Sequence, residues 1–272
     1  MIRAAVIAAA IALSACGHAK DDDAEPYRPS AAVSEAHAAS LAKLPAGWPS
    51  GTDCDGLLWS GLARAAGHDV DLLLARADDG RWHRRQVSDG PCFADGVDYG
   101  SKSSISRDMF VGLLAGLMAA GGDADIQATL DYAAAHDGIM GEGDWSRIKW
   151  TTNIYGLFER ALGNSGRPIF LFPVAADYEN HLQMVEIVIY RRAAGDLPIH
   201  IKKRAAELAL AFPSDALAQA MACFTAIGRC AEAEALALDP DYQAPSYVRG
   251  PAAAFDIHRA YAAQVLLYTQ GE

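Results

Sequence analysis

Ser106-Arg107-Asp108 puts a hydroxyl, a guanidinium and a carboxylate at the mouth of a strongly apolar segment, Met109 to Ala120. A second polar stretch, Glu142-Gly143-Asp144-Trp145, carries two acids and an indole, and Arg249 stands in a third beside Tyr247. A pair of carboxylates can serve as general acid and general base in glycosidic cleavage. Asp108 and Glu142 are the candidates for those catalytic roles. Arg107, Asp144, Trp145 and Arg249 are the candidates for holding a substrate, because charged groups grip hydroxyls and an aromatic ring covers an apolar face. That combination suits a carbohydrate. Asp108 also has a plain structural use, since a carboxylate in a first helical turn is favoured by the helix dipole.

These residues need a scaffold, and the spacing of apolar residues supplies one. Phe110, Leu113, Leu114, Leu117 and Met118 follow the repeat of one buried helical face, with Ser106 as N-cap. Gly112 and Gly116, four apart, predict close approach of another backbone. Further helices are expected from Leu57 to Ala65 behind a Thr52/Asp55 capping box, then over 123–136, 152–162, 178–193 and 198–212. Ser214 is expected to cap the next helix, and a last one over 252–268 should bury Phe255, Ala262, Val265 and Leu266. Glu186 falls on the apolar Leu182, Val185, Ile189 face, so it needs a basic partner or a raised pKa, and a structural salt bridge is the expectation. Alanine is plentiful and strand alternation is lacking. The pattern predicts one all-α domain over 51–272, with about eight helices in consecutive antiparallel hairpins, either toroid-like or an irregular bundle. Alternate connections then fall at one end, where the long loops could build a single cleft.

Composition narrows the function. The formal net charge of −11 argues against a nucleic-acid partner, which needs clustered Lys and Arg. No phosphate-cradling loop, dinucleotide fingerprint, His-Glu-x-x-His or Gly-x-Ser-x-Gly occurs. Ser146-x-x-Lys149 has no Lys-Thr-Gly to accompany it. His83, His136 and His181 are not at helical ligand spacing, so neither a metal nor a cofactor is expected.

The amino terminus reads as a secretory signal over 1–15: Arg3, a short apolar run, then Leu13-Ser14-Ala15-Cys16. These four residues resemble the lipobox of bacterial lipoproteins. The resemblance implies cleavage before Cys16, lipidation of that cysteine and anchoring in the cell envelope, with Gly17 favouring the outer membrane. Residues 16–50, with Asp21-Asp22-Asp23 and four prolines, read as a flexible tether, with a short helix over 34–44. The other cysteines number four, and an even number in an exported chain suggests disulfides. Cys223 with Cys230 and Cys54 with Cys92 are the expected pairs.

Ser106-Arg107-Asp108 opening a Gly-containing apolar helix, followed by a Gly/Asp/Trp loop and further hairpins, is similar to the helical-toroid, six-hairpin glycan-active proteins. That likeness covers about residues 53–163 and carries no catalytic role with it. Two expectations stand. In one, a lipid-anchored envelope protein binds or cleaves a carbohydrate in a cleft at Arg107 and Asp108. In the other, a non-catalytic lipoprotein serves as scaffold or docks an envelope partner, with Arg107 and Asp108 consumed in ion pairs and no pocket above them.

Overall fold

The computed structural model describes residues 27–49, 54–86, 93–94, 97–98, 105–141 and 149–271. Among them run α1 (Ala31–Leu41), α2 (Gly56–Ala65), α3 (Arg107–Ala120), α4 (Asp123–Ala135) and α5 (Thr152–Ala161). They are followed by α6 (Asp177–Ala194), α7 (Ile199–Ala211), α8 (Ala216–Phe224), α9 (Cys230–Leu238) and α10 (Ala254–Leu267). Phe93–Ala94 pairs antiparallel with Val97–Asp98 in a two-residue ladder, so the domain is all-α in class. Where about eight helices were expected over 51–272, nine are described there, the alanine-rich α9 being the addition, and α1 answers to the short helix expected over 34–44.

Two helices form the centre. In α2 every residue but Arg64 is buried, and α3 is buried from Met109 to Leu117. A helix apolar on all sides belongs inside a core. Their backbones nearly touch: a Cβ on Gly61 would stand 2.1 Å from the carbonyl oxygen of Gly112, and one on Gly112 would stand 2.2 Å from that of Leu58. The glycine spacing in α3 thus marks a helix crossing, with Gly61 as the matching residue on α2. Gly121 ends α3 in the left-handed conformation, φ 69°, which favours glycine.

Three expectations need correction. The tether does not extend to residue 50, because α1 packs on α9 and α10, Val33 is fully buried, and the Trp48 indole donates to Asp71 O at 2.7 Å. From residue 27 onward the described chain belongs to the folded domain, since Val33, Leu44 and Trp48 give this stretch its own apolar anchors. The cap of α8 is Asp215, not Ser214; its carboxylate accepts from the N–H groups of Leu217 and Ala218. Phe255 is 55% exposed rather than buried, while Ala254 and Ile257 beside it take the inward positions of α10.

The Cys223–Cys230 disulfide is present and closes the turn from α8 into α9, where Gly228 has φ 107°. The expected Cys54–Cys92 pair lies outside the described residues at Cys92. The helices do not pack only with their chain neighbours. α10 lies on α1, α2, α8 and α9, and α3 meets α6. None of the described helices is long and apolar enough to cross a membrane.

Candidate functional site

The N-terminus of α3 and one stripe of α6 face each other across a cleft of about 460 Å³. Ser106, Arg107 and Asp108 stand on one side, and Tyr178, Leu182 and Glu186 on the other. The latter three are at i, i+4 and i+8, one line along α6. Val111, Ile154 and Leu171 provide its apolar lining. The volume is within the ~300–1,000 Å³ of ordinary small-molecule sites.

Each polar group is held differently. Ser106 has the extended backbone of an N-cap, φ −93° and ψ 163°, but its hydroxyl makes no cap bond. It accepts instead from Arg84 Nη2 at 3.3 Å. Arg84 is fully buried, donates from Nη1 to Cys54 O at 2.7 Å, and stands 3.8 Å from the Asp55 carboxylate, which also reaches the cleft. A charge so deeply buried must be paired and hydrogen-bonded. Arg84 therefore ties the start of α2 to the start of α3, and fixes the place where Arg107 and Asp108 emerge.

Asp108 accepts a hydrogen bond from the Tyr178 hydroxyl at 2.6 Å. Burial and the Asp108 carboxylate raise the Tyr178 hydroxyl well above its ordinary pKa, so the phenol keeps its proton as donor. Glu186 does not form the salt bridge expected of it. Neither Glu186 nor Arg107 has a side-chain hydrogen-bond or ion-pair partner among the described residues. Burial pushes the Glu186 carboxyl up to about 7, and the Arg107 guanidinium only partly opposes this. The cleft thus holds one carboxyl that keeps its proton near neutral pH and another already accepting a bond.

Of the sequence-derived candidates, Arg107 and Asp108 come together in the cleft. Arg249 is exposed and does not line it. Glu142, Asp144 and Trp145 lie outside the described residues, as does Cys16. Sequence reasoning gave no site role to Tyr178 or Glu186. The signal was available: Tyr178, Glu179, Gln183 and Glu186 put a polar stripe on a helix that is otherwise apolar in its middle.

Comparison with protein-family models, with curated proteins and with solved structures finds no match. The site therefore has to be read from its own chemistry.

A second polar cluster is fully enclosed. Asp215 accepts from Tyr247 and from His258 Nε2, the latter at 3.1 Å, and His258 Nδ1 lies 3.2 Å from His181 Nε2. Burial would raise the Asp215 carboxyl, but His258, His181 and Tyr247 outweigh it and hold the group well below its ordinary value. Burial and His258 push His181 down to about 3, so this imidazole is neutral at physiological pH. The cluster joins α6, α8 and α10 through buried side chains, and its chemistry is that of a structural tie. Among the described residues no group of three His, Cys, Asp or Glu side chains is placed to hold a metal ion.

Proposed function

We propose that this helical domain is the working part of a lipid-anchored cell-envelope protein, and that the cleft between α3 and α6 binds a carbohydrate and hydrolyses it. One observation carries the reading: Glu186, protonated near neutral pH, faces a wall on which Asp108 stands as a hydrogen-bond acceptor. A carboxyl that holds its proton and a second carboxyl oriented by a hydrogen bond, lining one cleft, can divide the acid and base roles of glycoside cleavage. Glu186 would give its proton to the leaving glycosidic oxygen. Asp108 would act on the other face of the sugar as base or nucleophile, and Arg107 would grip a hydroxyl. Glu142, Asp144 and Trp145, between α4 and α5 in the sequence and outside the described residues, keep the catalytic (Glu142) and binding (Asp144, Trp145) roles expected of them on the same substrate.

Charge selects the sugar. With Glu186 protonated, Asp55, Asp108 and Glu179 still line the cleft against Arg107. An acidic glycan would meet repulsion there, whereas a neutral or amine-bearing one would not. The packing of α10 on α1 and α2 favours a toroid-like closure of the helical series. The cleft above Arg107 and Asp108, lined by both, supports the carbohydrate reading over the scaffold alternative, which expected both residues in ion pairs with no pocket above them.

The lipid anchor on Cys16 would place this cleft in the envelope, at the outer membrane. No nucleic acid, cofactor or metal enters the reading. A thermal-shift series of the mature chain tests it, with neutral, amine-bearing and uronic-acid oligosaccharides as ligands. A ligand that binds only the folded state must raise the midpoint. Upward shifts with neutral or amine-bearing sugars, abolished in Asp108→Asn, are expected. Shifts with uronic acids alone would reverse the charge argument, and no shift with any glycan would return the domain to the scaffold reading.

A further inference from the structure

Between α5 and α6 the chain runs over 167–174 without helix or strand, and burial alternates from Ile169 to Phe172. Ile169 is buried and Leu171 lines the cleft, while Phe170 and Phe172 are 53% and 65% exposed. The two exposed rings lie 6.4 Å apart, centroid to centroid, with planes within 7° of parallel. The backbone beneath them is clamped. Asn153 receives the Phe170 N–H at 2.9 Å and donates to Phe170 O at 2.7 Å, as a neighbouring strand would. Gln183 donates to Phe172 O at 2.9 Å and Asn180 to Val174 O at 3.2 Å. The His200 ring lies 3.0 Å from Ile169 O.

An isolated exposed phenyl needs no explanation. Two parallel rings on a strap pinned from α5, α6 and α7 are different, because side chains that could collapse onto the core are held outward together. Their position names the occupant. Leu171 between them and Val174 beyond them line the cleft, and the clamps Asn153 and Gln183 line it as well. The platform is therefore continuous with the cleft rim.

We propose that Phe170 and Phe172 form an aromatic subsite for a sugar chain leaving the cleft, a proposal that rests on the carbohydrate reading above. A stacking surface selects rings with an unobstructed apolar face. The ligand class is then a neutral, β-linked chain of gluco-configured sugars, whose equatorial hydroxyls leave the C–H faces open. Longer chains gain contacts with the rings, and a disaccharide inside the cleft does not.

The test uses the mature protein with cellohexaose and chitohexaose, and with their disaccharides, followed by calorimetry. In Phe170→Ala/Phe172→Ala the hexasaccharide should bind about tenfold more weakly, the size of one lost aromatic contact. Disaccharide binding should stay within about twofold, and the melting midpoint should hold because both rings are exposed. Asp108→Asn should weaken both lengths. If the wild type binds the hexasaccharide and the double substitution changes nothing, the platform is wrong and the cleft stands. If the wild type binds neither length of either sugar, the cleft reading and the platform fall together. If sedimentation shows a wild-type dimer that the double substitution dissociates, the rings are a contact between copies of the chain, and the sugar subsite is overturned.

Discussion

Tyr178, in the first turn of α6, donates a hydrogen bond from its hydroxyl to Asp108 in the first turn of α3 across 2.6 Å, tying the two walls of the cleft together. The carboxylate is thereby oriented without being neutralised by a cation. In Asp108→Asn the amide oxygen can still accept from Tyr178, so stability should change by less than about 1 kcal/mol. Any glycan hydrolysis should fall by about a hundredfold or more, as expected on removing an acid–base group. Tyr178→Phe should instead cost about 1–2 kcal/mol of stability through the lost hydrogen bond to a carboxylate. Denaturant titration beside a turnover assay separates the two variants. Equal stability losses in both would mean that Asp108 is merely structural.

Glu186 makes stability fall with rising pH. Its carboxyl titrates near 4.5 in the unfolded chain and at about 7 in the fold. Between those values the folded state holds the extra proton, so this contribution is complete below pH 4.5 and is lost as pH rises through 7. Glu186→Gln removes the loss. The variant should match the wild type at pH 4 and exceed it by about 2 kcal/mol at pH 8, allowing for partial solvent contact. Unfolding curves at pH 4, 6 and 8 measure this. A difference that does not vary with pH would show that Glu186 ionises normally.

His181 acts in the opposite direction. The unfolded imidazole binds a proton near 6.5, whereas the buried one resists until about 3. Acidification through that window therefore favours unfolding, and His181 should cost about 2 kcal/mol between pH 6.5 and 5. The groups facing it are His258, Asp215 and Tyr247 on the adjoining elements. The NMR signals of the His181 ring, assigned by their loss in His181→Gln, should stay those of a neutral imidazole at pH 5. A midpoint near 6.5 would contradict the enclosed arrangement.

α2 and α3 cross with their backbones in direct contact at Gly61 and Gly112. Gly112→Ala would put a Cβ 2.2 Å from Leu58 O, where backbone must move. A loss of about 3 kcal/mol is expected, at the upper end for overpacking. Gly163→Ala, with φ 77° and open space around it, should cost only about 1 kcal/mol through backbone strain. Thermal unfolding of the two variants decides, and near-equal midpoints would mean that the helices separate easily.

The helices were legible because their signals are local. Apolar spacing located α3 through α8 and α10 to within a few residues, and the Gly112/Gly116 pair announced a close crossing. Arg107 and Asp108 were legible as candidates because they stand together at the mouth of an apolar helix, and the structure brings both into the lining of one cleft. Asp215 was missed as a cap because Ser214 beside it has the same propensity, and only the positions of His258 and Tyr247 decide between them. The tether was drawn too long because prolines and small residues read as mobile, while Val33 is buried in α1, which packs on α10 more than 200 residues away, and the Trp48 indole finds its acceptor at Asp71.

What the sequence by itself determined is the class of the domain, the glycine crossing at its centre, the Cys223–Cys230 link and the polar mouth of α3. Each depends on residues near one another in the chain, where helical period, turn chemistry and loop length act. Only the tertiary structure decided that Tyr178 is the partner of Asp108, that Glu186 has no salt bridge among the described residues, and that Phe170 and Phe172 stay outside on a clamped strap. Those outcomes depend on which helix faces which, and a carboxyl's partner and pKa are set by neighbours in space rather than in sequence.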